Sequence, residues 1–276
     1  MPRRRDSKVV HMGVSIKVGY EREDRLDRAR RIEWLDIERI SESSALILGA
    51  GALGNELAKD LALSGLSEMT IVDFDVVERS NLARCAFFTD MDALKGERKA
   101  TCLSRAVSQL TPGLKATPIV SRVEDLPDKL FREHDLVFGC LDNFGARVHA
   151  NSHSCASGRP YIDGGMHGMV GRVFVSRPPD GACMECASNI THSKIAALRY
   201  SCTGSAVSFF VPPVPAEITT TSIVAALCAR EGLRVLSPKA PPLEGQMIYY
   251  DGSRNSMEVL EVDRDDKCPN HAGRKS

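Results

Sequence analysis

The run Ala45-Leu46-Ile47-Leu48, followed at once by Gly49-Ala50-Gly51-Ala52-Leu53-Gly54, constrains this chain more than any other segment. An apolar strand that breaks into a glycine turn and resumes as a helix reads as a nucleotide-binding beta-alpha-beta unit. The glycines permit a tight turn and close backbone approach to phosphate, with the helix N-terminus aimed at the charge. Asp73 lies nineteen residues past Gly54, at the end of a second apolar run, where a carboxylate can meet ribose hydroxyls. Gly49, Gly51, Gly54, Asp73 and Asp75 are the first candidate nucleotide ligands. The continuation does not suit a dehydrogenase. Ser80-Asn81-Leu82-Ala83-Arg84 puts an amide and a cation just beyond the ribose strand, a pattern suited to a triphosphate.

Strand-like and helix-like runs then alternate. Helices are expected over 55–66, 97–110 and 144–157, and strands over 69–73, 116–120, 135–140 and 161–163. That alternation implies a parallel sheet covered by helices on both faces. A strand over 169–175 has no helix after it; beyond come an irregular stretch, a helix over 221–236 and strands over 247–251 and 257–262, expected to pair antiparallel. The charge-rich start is expected to hold an amphipathic helix over 22–39 with Trp34 as its anchor. The fold class is α/β: a Rossmann-like, mostly parallel sheet flanked by helices and extended by antiparallel C-terminal strands. Three parts follow: an arm (1–44), a nucleotide-binding part (45–180), and a part (181–276) holding a zinc site, a catalytic loop and the last strands of the same domain.

With 36 Lys+Arg against 36 Asp+Glu, no basic groove for nucleic acid or membrane is expected. No apolar run reaches the ~18 residues of a spanning helix. Nine cysteines is an odd number for a secreted disulfide framework and points to thiol and metal chemistry in a reducing compartment, so the expected location is cytoplasmic.

Lys99 stands at a helix start, where it reaches a phosphate as a point charge; Asp142-Asn143 follows a parallel strand, at the edge where such sheets bind ligands. Taken singly, Lys99 reads as a solvated helix lysine and Asp142 as a helix cap. With Asp73, Asn81 and Arg84, all at strand ends, they read together as a site for a triphosphate, where a carboxylate such as Asp142 can hold magnesium on phosphate oxygens. Cys183-Met184-Glu185-Cys186 and Cys268-Pro269-Asn270-His271 supply four soft ligands for a closed tetrahedral zinc site, although one such cysteine pair alone also fits a redox dithiol. Cys202 lies in an irregular polar stretch, off any apolar face, and is a candidate nucleophile.

In combination these motifs resemble the adenylation domain of ubiquitin-activating enzymes and of their prokaryotic relatives, the ThiF, MoeB and HesA proteins. The likeness runs from about Arg22 to His271. It implies that Mg-ATP adenylates the C-terminal glycine of a ubiquitin-like or sulfur-carrier protein ending in Gly-Gly. Asp73 would hold the ribose, Asn81, Arg84 and Lys99 the phosphates, and Asp142 magnesium, with Asn143 near the nucleotide. It also implies a homodimer in which Arg25, from Arg22-Glu23-Asp24-Arg25, completes the partner's site. Cys202-Thr203, ahead of a Thr-rich helix start at Thr219-Thr220-Thr221, resembles a thioester-forming cysteine whose thiolate that helix end would favour. A conjugating enzyme would then be a further partner. The alternative is ThiF/MoeB-type activation of a sulfur carrier. A nicotinamide oxidoreductase would leave Arg84, Lys99 and the zinc ligands without a purpose, and a scaffold subunit would lack the phosphate cations.

Overall fold

The computed structural model describes residues 24–177, 181–188, 215–240 and 242–271. Eight strands form one sheet in the order β3-β2-β1-β4-β5-β6-β7-β8. They are β1 (Ser44–Leu48), β2 (Glu68–Val72), β3 (Lys115–Ile119), β4 (Leu136–Gly139), β5 (Tyr161–His167), β6 (Val170–Ser176), β7 (Gln246–Asp251) and β8 (Ser256–Glu261). The first five are parallel; β5 to β8 pair antiparallel. The direction changes because Gly168 (φ +59) turns β5 tightly into β6, leaving no length for a crossover helix.

Strand alternation sorts the core into two layers. Ala45 and Ile47 of β1 face α3 (Ala52–Leu63), α5 (Lys99–Leu110) and the long helix α9 (Ile218–Leu236), with Leu57, Leu61, Leu103, Val224 and Leu236 buried among them. Leu46 and Leu48 face the other layer, with Phe131 of α6 (Asp128–Arg132) and Ala150 and Cys155 of α7 (Phe144–Ser157). α8 (Met184–Ser188) contributes buried Met184 and Cys186 to that second layer.

The expected 22–39 helix is instead two short ones, α1 (Asp27–Arg30) and α2 (Ile37–Ser41), with residues 22–23 outside the described range. The break has a local cause: the Asp36 carboxylate accepts the Arg39 N–H and starts a new helix. α4 (Asp90–Lys95) is an addition, opened by a Thr89/Asp92 capping box and closed by Gly96 in the left-handed region.

Candidate active site

The carboxyl ends of β1, β2 and β4 converge on one crevice. Gly49 (φ +103) makes the turn, and a Cβ there would stand 2.4 Å from the Cys140 carbonyl oxygen. A Cβ on Gly54 would stand 2.0 Å from the Gly49 carbonyl oxygen, so the helix can approach the turn only as glycine. Gly51 differs. It caps α3 in an extended conformation with no side-chain cap, and a Cβ there would meet nothing within 4 Å. The helix N-terminus therefore opens on empty space, as an anion site requires.

Asp73 closes the other side of the turn. Its Oδ2 accepts the Ala50 N–H at 2.7 Å and its Oδ1 the Asp75 N–H at 2.8 Å, while burial raises its carboxyl above the usual range. Beyond β2 the chain bonds back to the start of α5, with the Lys99 N–H on the Asp75 carbonyl at 3.0 Å. That bond puts the Lys99 ammonium in the crevice, 2.9 Å from the Asp75 carboxylate. Arg84 donates to the Ser80 carbonyl at 2.6 Å, and the Asn81 Oδ1 accepts the Glu78 N–H at 2.9 Å. After β4, Asn143 rather than Asp142 caps α7, accepting the Ala146 N–H at 2.7 Å. No hydrogen bond among the described residues ties down the exposed Asp142 carboxylate.

These side chains border two adjoining cavities. One of about 180 Å³ is lined by Gly49, Asp73, Asp75, Asn143 and Arg122; the next, of about 220 Å³, by Asn81, Arg84, Cys85 and Arg147. Gly51, Lys99, Cys140 and Asp142 border both. Asp73 and Asp75 wall one cavity and Arg84 the other, with Lys99 between them, so a nucleotide can lie across the pair with its phosphates over the helix N-terminus.

The sequence reading missed two residues here. Arg147 bridges the Leu141 carbonyl (2.8 Å) and the buried Asp163 carboxylate (3.0 Å), pinning the loop that carries Asp142. Its signal was Asp163 itself, a carboxylate ending an apolar strand. The Arg122 guanidinium lies 4.5 Å over the exposed Phe74 ring at the cavity rim; no sequence motif marked that pair.

Three further expectations concern Arg25, Cys202 and the start of α9. Arg25 is not in this crevice. It donates to the Leu110 carbonyl and the Thr111 hydroxyl, at the opposite end of α5 from Lys99, a helix length of roughly 16 Å. Cys202 lies outside the described residues. The start of α9 is not an open anion site either: Glu217 fills it, accepting the Thr219 and Thr220 N–H groups at 2.7 and 2.6 Å. Hydrogen bonds from the Thr219 and Thr220 side chains, then from the Thr220 backbone, pull its carboxyl down to about 2. A thiolate would find that helix end already occupied by a carboxylate.

Cys183, Cys186, Cys268 and His271 form a second constellation, all buried, with ligand atoms within 4.8 Å of one another. The Cys183 sulfur lies 3.8 Å from that of Cys186 and 3.6 Å from that of Cys268. Asn270 and the Asp265 N–H donate to the cluster's sulfurs at 3.4 and 3.5 Å. The His271 Nε2 is buried without a hydrogen-bond partner, a cost that a bound cation removes. Three sulfurs and an imidazole can hold a metal ion, and they join the tail after β8 to α8.

Residues 25–270 match the ThiF family. The molybdopterin-synthase adenylyltransferase of Escherichia coli is 28% identical over 233 residues, 84% of this chain and 88% of the relative. A sulfur carrier protein adenylyltransferase of Thermus thermophilus is 30% identical over 249 residues, covering 84% and 83%. The NEDD8-activating enzyme E1 catalytic subunit of Arabidopsis thaliana is 25% identical over 81% of this chain, which spans 64% of that subunit. Among solved structures, E. coli MccB with ATP superposes with a TM-score of 0.68 at 21% identity, covering 86% of this chain and 68% of that one; this likeness is one of fold.

Proposed function

This chain belongs to the ThiF family, and from that premise we propose that it adenylates the C-terminal glycine carboxylate of a ubiquitin-like or sulfur-carrier protein. The observation that carries the reading is the convergence of Lys99, Arg84 and an untethered Asp142 on an uncapped helix N-terminus. A carrier carboxylate and a triphosphate are both anions. Bringing them together requires clustered cations, not a general base. The carboxylate oxygen attacks the α-phosphorus, a new P–O bond forms, and the bond to the β-phosphate breaks with release of pyrophosphate. In this reading Asp73 holds the ribose, Asn81, Arg84 and Lys99 the phosphates, and Asn143 lies near the nucleotide. A magnesium ion on Asp142 would neutralise phosphate charge. Lys99 exchanges its Asp75 partner for phosphate when the nucleotide enters. Arg25, at the far end of α5, serves the site of a second copy, so the working unit is a homodimer. Zinc on Cys183, Cys186, Cys268 and His271 is structural, with no position open for a catalytic water.

A second step divides the family relatives. In the ubiquitin-activating mode, the Cys202 sulfur attacks the acyl carbon, AMP leaves, and a thioester is handed to a conjugating enzyme. In the sulfur-carrier mode, the adenylate is the species passed on. Pyrophosphate exchange with a panel of small Gly-Gly-ending proteins tests the first step: exchange is expected with at least one carrier, and none with any would overturn the proposal. Cys202→Ala decides the second. Loss of a reductant-sensitive carrier adduct with exchange intact supports the thioester; brisk exchange without any wild-type adduct assigns the sulfur-carrier mode.

A further inference from the structure

Asn55 sits in the first turn of α3, fully buried. Asparagine is a poor helix-interior residue, and a buried amide destabilises the fold unless its hydrogen bonds are made. Here they are made, and each reaches a different piece of the nucleotide site. The Nδ2 donates to the Ala50 carbonyl at 3.0 Å and to the Gly51 carbonyl at 3.1 Å. The Oδ1 accepts the Phe87 N–H at 3.1 Å. Phe87 is three residues beyond Arg84 and two beyond Cys85, on the segment that walls the phosphate cavity.

The geometry of the trans peptide gives these bonds their consequence. Within one peptide plane the C=O and the following N–H point in opposite directions. Holding the Ala50 carbonyl toward the helix turns the Gly51 N–H away from it; holding the Gly51 carbonyl does the same for the Ala52 N–H. Neither donor has a hydrogen-bond partner among the described residues, and a Cβ on the Gly51 between them would meet nothing within 4 Å. The same side chain fixes, through Phe87, how far the Arg84 segment stands from that turn. We infer that Asn55 is a positioning residue of the nucleotide site. Its amide orients the turn's N–H groups toward the phosphates and sets their spacing from Arg84, with no contact to the ligand itself.

The inference rests on the ATP-binding part of the proposed function and predicts which affinity falls. Asn55→Asp keeps the acceptor for Phe87 but turns a carboxylate toward two carbonyl oxygens; Asn55→Ser shortens the donor so that it cannot serve both ends. The full chain is titrated with ATP and, separately, with adenosine, which carries the base and ribose but no phosphate. The expected result is ATP binding at least tenfold weaker in both variants, with adenosine binding within twofold of wild type. Equal losses for ATP and adenosine, or wild-type ATP affinity in either folded variant, would overturn the positioning role. If Asn55→Asp does not fold, Asn55→Ser decides alone, and failure of both to fold assigns Asn55 to stability and overturns the inference. Wild type that binds no ATP overturns the proposed function as well, and is told apart because it appears before any variant is made.

Discussion

Gly51 and Gly54 are three positions apart and are glycine for different reasons. A Cβ on Gly54 collides with the Gly49 carbonyl, and one on Gly51 meets nothing. Gly54→Ala should therefore force α3 off the turn, on the order of 1–3 kcal/mol of lost stability together with lost ATP binding. Gly51→Ala should leave stability within about 0.5 kcal/mol and weaken ATP binding alone, because only a ligand occupies that space. Thermal melts and ATP titrations of the two variants check the contrast. Asp142→Ala and Arg84→Ala should each lower pyrophosphate exchange on the order of 10²-fold or more with the fold intact. Glu217 makes a prediction with pH. Its carboxyl is held down at about 2, so its contribution to stability is full above the unfolded carboxyl value and is lost as pH falls through about 2. The melting-temperature gap between wild type and Glu217→Gln should be constant from neutral pH to about pH 5 and narrow steadily below it. A gap independent of pH down to 3 would contradict the cap. Two buried thiols fit poorly as nucleophiles: burial pushes Cys85 up to about 11 and Cys228 well above its ordinary value.

Elements were legible where period and punctuation agreed. β1, the glycine turn and α3 follow from four apolar residues and three glycines, although α3 spans Ala52–Leu63 rather than 55–66 because the helix starts inside the glycine motif. The 22–39 helix was misread because apolar spacing continued across Asp36, whose side chain prefers to start a helix rather than sit inside one. α4 was present in the sequence as Thr89-Asp90-Met91-Asp92, a capping signal that a search for apolar stripes passes over. Of the site, the charges at strand ends were readable because a parallel sheet exposes only its ends to a ligand. Asn55 was not readable, since its partners are backbone groups brought near by the fold, and Arg147 was signalled only indirectly, by the Asp163 carboxylate that it pairs with. The Cys183, Cys186, Cys268 and His271 cluster belongs to this scale too, because it joins α8 to the tail. Cys183→Ser should lower the melting temperature and raise protease sensitivity around residues 246–271 before it changes ATP affinity, with metal content measured on the same sample.

At the scale of the whole molecule, Arg25 and Lys99 stand at opposite ends of α5, and the proposed shared site brings Arg25 to the nucleotide of a second copy. Mixing Arg25→Ala chains with Asp142→Ala chains should restore about one quarter of wild-type exchange, the share of sites that random pairing leaves intact. No recovery in proven heterodimers would count against a shared site.

The strand order also carries a schedule. From β5 onward each strand lies beside the one made just before it, so this edge of the sheet grows in the order in which a ribosome delivers it. Cys183 and Cys186 emerge some eighty residues before Cys268 and His271, and the cluster can close only after β8 has left the exit tunnel. A metal bound there would be captured late in the life of the chain, as a latch on a nearly finished sheet rather than a seed for it. Chains translated under chelation should resist protease through β5 and fray from the trailing edge inward.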